Sequence, residues 1–208
     1  MIEQFIKYFV LLFVVIEPVS LVPLFGALTR GEGDECRRRI AFKSTLLAAV
    51  ILFAFAFAGD YLLRALGISL DAFKIAGGLL LFLLAVDMVF ARQSGLRSTT
   101  VRERDEARYR EDISVFPMAF PLMAGPGALA TVLLLVGETG GDWAMLAGLL
   151  VVLALILGLT LVLLLLTPHV MRVLGVTGAN VISRLLGVIL VALAVQFVVD
   201  GIRNLFIL

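Results

Sequence analysis

Glu17 is the only ionisable residue between Tyr8 and Leu28, and Pro18 follows it at once. A charge at the centre of a bilayer costs about 2.5 kcal/mol or more, so a carboxyl in such a run must be neutral, paired or in water. Two roles fit it. One is a proton carrier or counter-ion in a central cavity; the other is a protonated cap on the carbonyls that Pro18 frees. The surrounding stretch, Glu17-Pro18-Val19-Ser20-Leu21-Val22-Pro23, places two prolines five residues apart. A second stretch, Phe120-Pro121-Leu122-Met123-Ala124-Gly125-Pro126-Gly127, repeats that spacing without any ionisable group. What it offers is backbone. N–H groups opening a half-helix at Gly127 attract an anion, and carbonyls ending the preceding half-helix attract a cation.

A proline inside a helix removes a hydrogen bond and clashes with the previous turn, costing about 3 kcal/mol. In lipid the freed groups survive only where they are buried or line a cavity. Each double proline is therefore either a packing kink or a binding element. Matching breaks in two halves of a chain favour the second reading. Glu17, Pro18, Ser20, Pro23, Pro121, Gly125, Pro126 and Gly127 are the candidate substrate- or ion-binding residues.

Lys74 and Arg184 each lie about one turn into an apolar run, where they would gate opposite mouths or snorkel to headgroups. Asp71 shares a helix face with Lys74 at i,i+3, and Asn180 holds the corresponding place before Arg184. These four are the candidate gating residues. Asp200 and Arg203 read as an exposed i,i+3 pair. Cys36 and His169 are single residues in polar or helix-end settings, with no metal-site spacing around either. No metal, cofactor or nucleic-acid partner is expected, and no catalytic set is present at membrane depth.

The elements that must position these residues are membrane spans. Of 208 residues, 62% are hydrophobic and 16% charged, against about 45–50% and 25% in soluble domains. A span needs about 20 residues, and six segments supply them: 4–28, 41–62, 71–91, 113–136, 143–166 and 180–205. The first and fourth are expected to be broken, at 17–23 and 121–127. The opening run reads as a retained span, since it lacks a basic n-region and a small-residue cleavage site. Residues 92–112, with six arginines and five acidic residues, form a solvated linker between two halves, 1–91 and 113–208.

The halves correspond. Pro18 and Pro23 match Pro121 and Pro126 at a spacing of 103 residues, and Asp71, Gly78 and Asp87 match Asn180, Gly187 and Gln196 at 109. Three spans per half force the second half to enter from the opposite side, giving a 3+3 inverted-topology repeat. Arg30, Arg37, Arg38, Arg39, Lys43, Arg172 and the six linker arginines fall on one face, against Lys7, Arg64, Lys74 and Arg203 on the other. By the positive-inside rule the linker is cytoplasmic and both termini lie outside, with Tyr61 and Trp143 at the outer interface.

Glu17 with its Pro-x4-Pro, Phe73-Lys74-Ile75-Ala76-Gly77-Gly78, the Phe120–Gly127 stretch and Ser183-Arg184-Leu185-Leu186-Gly187 together resemble the MarC family of bacterial inner-membrane proteins. The resemblance covers the whole chain. One departure is Ser20, where the family usually has glycine. The resemblance implies six spans and kinship with the lysine-exporter-like superfamily of small exporters, and it names no substrate.

Function then divides between two readings. The first is a secondary transporter, an exporter of a small polar solute that alternates access and couples to protons. The second is an ion channel on the same fold, which would need a continuous polar pore that the apolar second and fifth spans do not supply. An embedded enzyme lacks its residues, and an ATP-driven pump lacks a phosphate-binding loop. The lipid bilayer is the obligatory partner, and the chain could also form an oligomer.

Overall fold

A computed structural model describes residues 2–90 and 113–206, and the described chain is helical without strands. The elements are α1 (Ile2–Ile16), α2 (Pro18–Leu28), α3 (Asp34–Ala65), α4 (Leu70–Phe90), α5 (Ser114–Met123), α6 (Pro126–Glu138), α7 (Trp143–Leu165) and α8 (Thr167–Phe206). Five stretches are long and apolar enough to cross a membrane, with mean hydropathy from 2.1 to 3.1; counting α5 and α6 as one bent span makes six. Their outward faces are as apolar as the core. Val151, Leu155, Leu185 and Val188 are each about 60% exposed. A helix apolar all round belongs in a core or a membrane, and these faces meet no protein core.

Proline chemistry sets the boundaries. Pro18 and Pro126 occupy the first turns of α2 and α6, where a missing N–H costs nothing. The residue before a proline is driven out of the right-handed α region. Phe116 (φ −129, ψ 125) and Phe120 (φ −133, ψ 130) answer by going extended, which makes α5 a wide, irregular helix. Glu17 answers differently, at φ 55 and ψ 58. It is the only non-glycine residue with positive φ among those described, in a region that costs an L-residue about 1–2 kcal/mol. Asp142 caps α7 by accepting from Ala144 N at 2.8 Å and Met145 N at 3.3 Å.

Several sequence expectations change in detail. The expected 17–23 break narrows to Glu17 alone, because α2 resumes at Pro18 and carries Pro23 within it. Pro23 is only one turn from the helix start, so one missing bond does not interrupt it. Between α5 and α6 the axis bends by 52°, with Ala124 (φ −102, ψ 49) and Gly125 (φ −74, ψ 173) outside helix. The second span, expected over 41–62, begins earlier, since α3 starts at Asp34 and puts Cys36 in its first turn. The expected sixth span begins earlier too. α8 starts at Thr167, and only Gly175, at φ 63, leaves helical geometry within it. The 92–112 linker lies outside the described residues.

Packing is organised by one long antiparallel seam between α4 and α8. Gly78 sits against Ala194 and Val198, and Gly187 against Met88 and Val89. Of the other contacts, α3 packs against α7, and three sets come in pairs: α1 with α7 and α5 with α3, α2 with α7 and α6 with α3, α2 with α8 and α6 with α4; α1 also packs against α6 and α8. At the centre Leu11, Leu12, Ile16, Phe25, Leu52, Met118, Met123 and Leu134 are fully buried.

Candidate functional site

Glu17 is 3% exposed, the one charged side chain in the buried set among the described residues. Its Oε1 accepts a hydrogen bond from Ser20 Oγ at 2.7 Å and another from Ser183 Oγ. Ser20 lies in the first turn of α2 and Ser183 on α8, so the carboxyl joins the junction of α1 and α2 to the second half of the chain. The backbone continues α1 up to the junction through Glu17 N to Phe13 O at 2.9 Å, and Ser20 N returns to Glu17 O at 3.1 Å. Pro18 has no N–H to offer the Val14 carbonyl, so that oxygen loses its helical donor.

The second break lies beside the first. Val15, two residues before Glu17, lines a small open-sided cleft together with Leu84, Pro121, Gly125, Pro126 and Gly127. A β-carbon on Gly127 would lie 3.6 Å from Val15 Cγ1 and 2.9 Å from Leu84 Cδ2. One on Gly125 would lie 2.3 Å from the Pro121 carbonyl oxygen, so the turn between α5 and α6 closes only on glycine. The cavity wall is apolar apart from backbone groups. The two breaks thus differ: one is filled by a carboxyl and two hydroxyls, the other opens on an apolar space.

At one end of the bundle Lys74 Nζ stands 3.7 Å from Asp71 Oδ1, which also accepts from Asn204 Nδ2 at 2.9 Å. Asp71 therefore ties the start of α4 to the end of α8. Lys7 Nζ pairs with Glu138 Oε2 at 2.7 Å and lies 5.9 Å from the centre of the Phe197 ring, joining α1, α6 and α8. Asn180 and Arg184 are exposed on α8, and among the described residues neither side chain makes a hydrogen bond or ion pair. Asp200 accepts from Gln196 Nε2 at 2.8 Å, in place of the expected partner Arg203. No cluster of three or more His, Cys, Asp or Glu suited to a metal occurs among the described residues.

The sequence matches the family described as MarC family integral membrane proteins over residues 2–206. The chain belongs to the MarC family. The membrane protein YhcE of Escherichia coli is 36% identical over 202 residues, covering 97% of this chain and 93% of that one. A membrane protein of Methanocaldococcus jannaschii is 39% identical over 207 residues, 97% of each chain. The inner membrane protein YhgN of Escherichia coli is 34% identical over 201 residues, again 97% of each. No solved structure matches the chain. This MarC-family protein is a multi-pass integral membrane protein, and the resemblance drawn from its motifs holds over nearly its whole length.

Sequence reasoning missed Ser183 as a partner of Glu17, although the Ser183–Gly187 motif had been singled out. The signal was its 109-residue spacing from Lys74, the same spacing that pairs Gly78 with Gly187. Lys7, Glu138 and Asn204 were also missed, because nothing in the local sequence marks a pair separated by about 130 residues.

Proposed function

We propose that this protein is a secondary transporter, an exporter of a small polar solute that works by alternating access in the bacterial inner membrane. Its halves, 1–91 and 113–208, act as a 3+3 inverted repeat that rocks about the site between them, with the first and fourth spans broken at mid-membrane. The paired helix contacts support that reading, since each survives exchange of α1–α4 for α5–α8. The single observation that carries it is the buried carboxyl of Glu17, at a left-handed break, bonded to a serine of the opposite half. Such a junction joins the moving parts through a group that can carry a coupling charge, taken here as a proton.

Pro18, Ser20 and Pro23 on one side, and Pro121, Gly125, Pro126 and Gly127 on the other, form the substrate- or ion-binding region. Asp71 and Lys74 guard one mouth; Asn180 and Arg184 stand toward the other. The 92–112 linker is cytoplasmic and both termini lie outside, by the excess of basic residues on the linker face. The name of YhgN agrees with the inner membrane. An apolar cavity favours alternation over the continuous polar pore of a channel.

The test is a thermal-shift screen of the purified chain over amino acids and small organic ions, followed by flux of any stabilising solute in reconstituted vesicles. Saturable flux that Glu17→Gln removes is the expected result. Steady single-channel conductance in planar bilayers would replace the transporter with a channel.

A further inference from the structure

We infer that Thr177, Asn180 and Arg184 on α8 bind the phosphate of an anionic phospholipid, whose acyl chain lies along Val181, Leu185 and Val188. The three polar residues fall at i, i+3 and i+7 on one stripe of the helix, and all three are exposed. Beside them Val181, Leu185 and Val188 are 52%, 63% and 59% exposed. The opposite side of the same helix carries Gly187 and Ala194, which pack on α4. The stripe therefore lies on the outside of the bundle, where lipid meets it.

Its depth follows from the α4–α8 seam. Gly187 meets Met88 and Val89, so Arg184, about one turn earlier, stands level with the end of α4 at Phe90. From Leu185 to Val195 no residue is polar, whereas Asn180 and Thr177 precede it. Arg184 thus marks the edge of the hydrocarbon layer. Long side chains on a helix lean toward its N-terminal end, which carries the guanidinium over Asn180 and out to headgroup level.

Charge selects the lipid. The helix neighbours of Arg184 three and four residues away are Asn180, Val181, Gly187 and Val188, none of them acidic. Among the described residues no ion pair or hydrogen bond reaches the guanidinium, and Asp87, the last acidic residue of α4, has its interaction elsewhere. A charge left alone on a lipid-facing surface is costly, and the planar guanidinium fork matches two phosphate oxygens. The Asn180 amide and the Thr177 hydroxyl add donors without adding negative charge. A zwitterionic headgroup brings its own cation; a lipid of net negative charge, such as phosphatidylglycerol, balances the arginine.

Binding rests on the membrane fold and not on the transporter reading. Only the leaflet, the cytoplasmic one, follows from the proposed topology.

The experiment adds phosphatidylglycerol or phosphatidylcholine, both dioleoyl, to the purified full-length protein in nonionic detergent. It reads the unfolding midpoint and, by native mass spectrometry, the lipid retained. Phosphatidylglycerol is expected to raise the midpoint saturably and to stay bound, and phosphatidylcholine to do neither. Arg184→Gln weakens the apparent affinity about tenfold, the loss of one charged hydrogen-bonding partner. Arg184→Lys keeps the charge without the fork and falls between. Arg172→Gln, which removes another exposed arginine of α8, leaves the affinity near native. Equal responses to the two lipids overturn the site, as do equal losses at Arg172 and Arg184, which would mean diffuse attraction. Glycerol phosphate matching the lipid would assign the stripe to a soluble anion and overturn the lipid. Should Arg184→Gln fail to fold, Arg184→Lys and the contrast between the two lipids on the native chain decide the matter.

Discussion

Gly78 and Gly187 hold equivalent places on opposite sides of the α4–α8 seam. A β-carbon on Gly78 would lie 2.8 Å from Val198 Cγ2 and 3.1 Å from Val198 N; on Gly187 it would lie 3.1 Å from both Val89 Cγ2 and Val89 N. The two glycines are 109 residues apart, and so are the two valines. Each glycine lets the opposing backbone approach, which is how helices associate where lipid removes the hydrophobic drive.

Valine at either glycine is therefore expected to destabilise the fold by about 1–3 kcal/mol, the usual range for overpacking. Because each glycine meets a valine of the facing helix, Gly78→Val and Gly187→Val should lower the unfolding midpoint in detergent by similar amounts. A large loss at one position with none at the other would count against the proposed inverted repeat.

Glu17 separates two further outcomes. Gln keeps an acceptor oxygen for Ser20 and Ser183, so Glu17→Gln is expected to fold and insert normally while flux is lost. Glu17→Ala leaves both hydroxyls without that acceptor and is expected to destabilise by about 1–3 kcal/mol. Unimpaired, solute-driven flux in Glu17→Gln vesicles would reduce the carboxyl to a helix-break cap.

The all-helical membrane fold and the family were legible in the sequence, because long apolar runs and their motifs act locally. The effect of each proline on its helix was not. Pro23 sits so near the start of α2 that its missing bond goes unnoticed, while Phe116, never singled out, leaves helical geometry because Pro117 follows it. Glu17 was legible as a buried carboxyl, but its partner was not, since Ser183 reaches it only through the packing of α8. Cys36 looked like a loop residue because charges surround it; α3 extends out past the apolar run and carries those charges on exposed turns.

The Lys7–Glu138 pair tests movement between the halves. Lys7 is 40% exposed and Glu138 16%, and such pairs contribute about 0.2–1 kcal/mol. Lys7→Ala should shift the midpoint little. If α1 and α6 separate during the cycle, a disulfide between Lys7→Cys and Glu138→Cys, in a Cys36→Ser background, should stop flux until it is reduced. Full flux through the oxidised protein would mean that this end does not open.

Orientation rests on Cys36, the only thiol in the chain. It is exposed in the first turn of α3, beside Arg37, Arg38 and Arg39, on the face that the proposed topology makes cytoplasmic. An impermeant maleimide should therefore fail to label it in intact cells and label it readily in inverted membrane vesicles. Trp143 is 79% exposed, and Trp143→Cys in a Cys36→Ser background should follow the opposite pattern. Labelling of Cys36 from outside intact cells, together with protection of Trp143→Cys, would reverse the topology. Both termini would then be cytoplasmic, and Lys7 and Glu138 would close the inner mouth in place of the outer one.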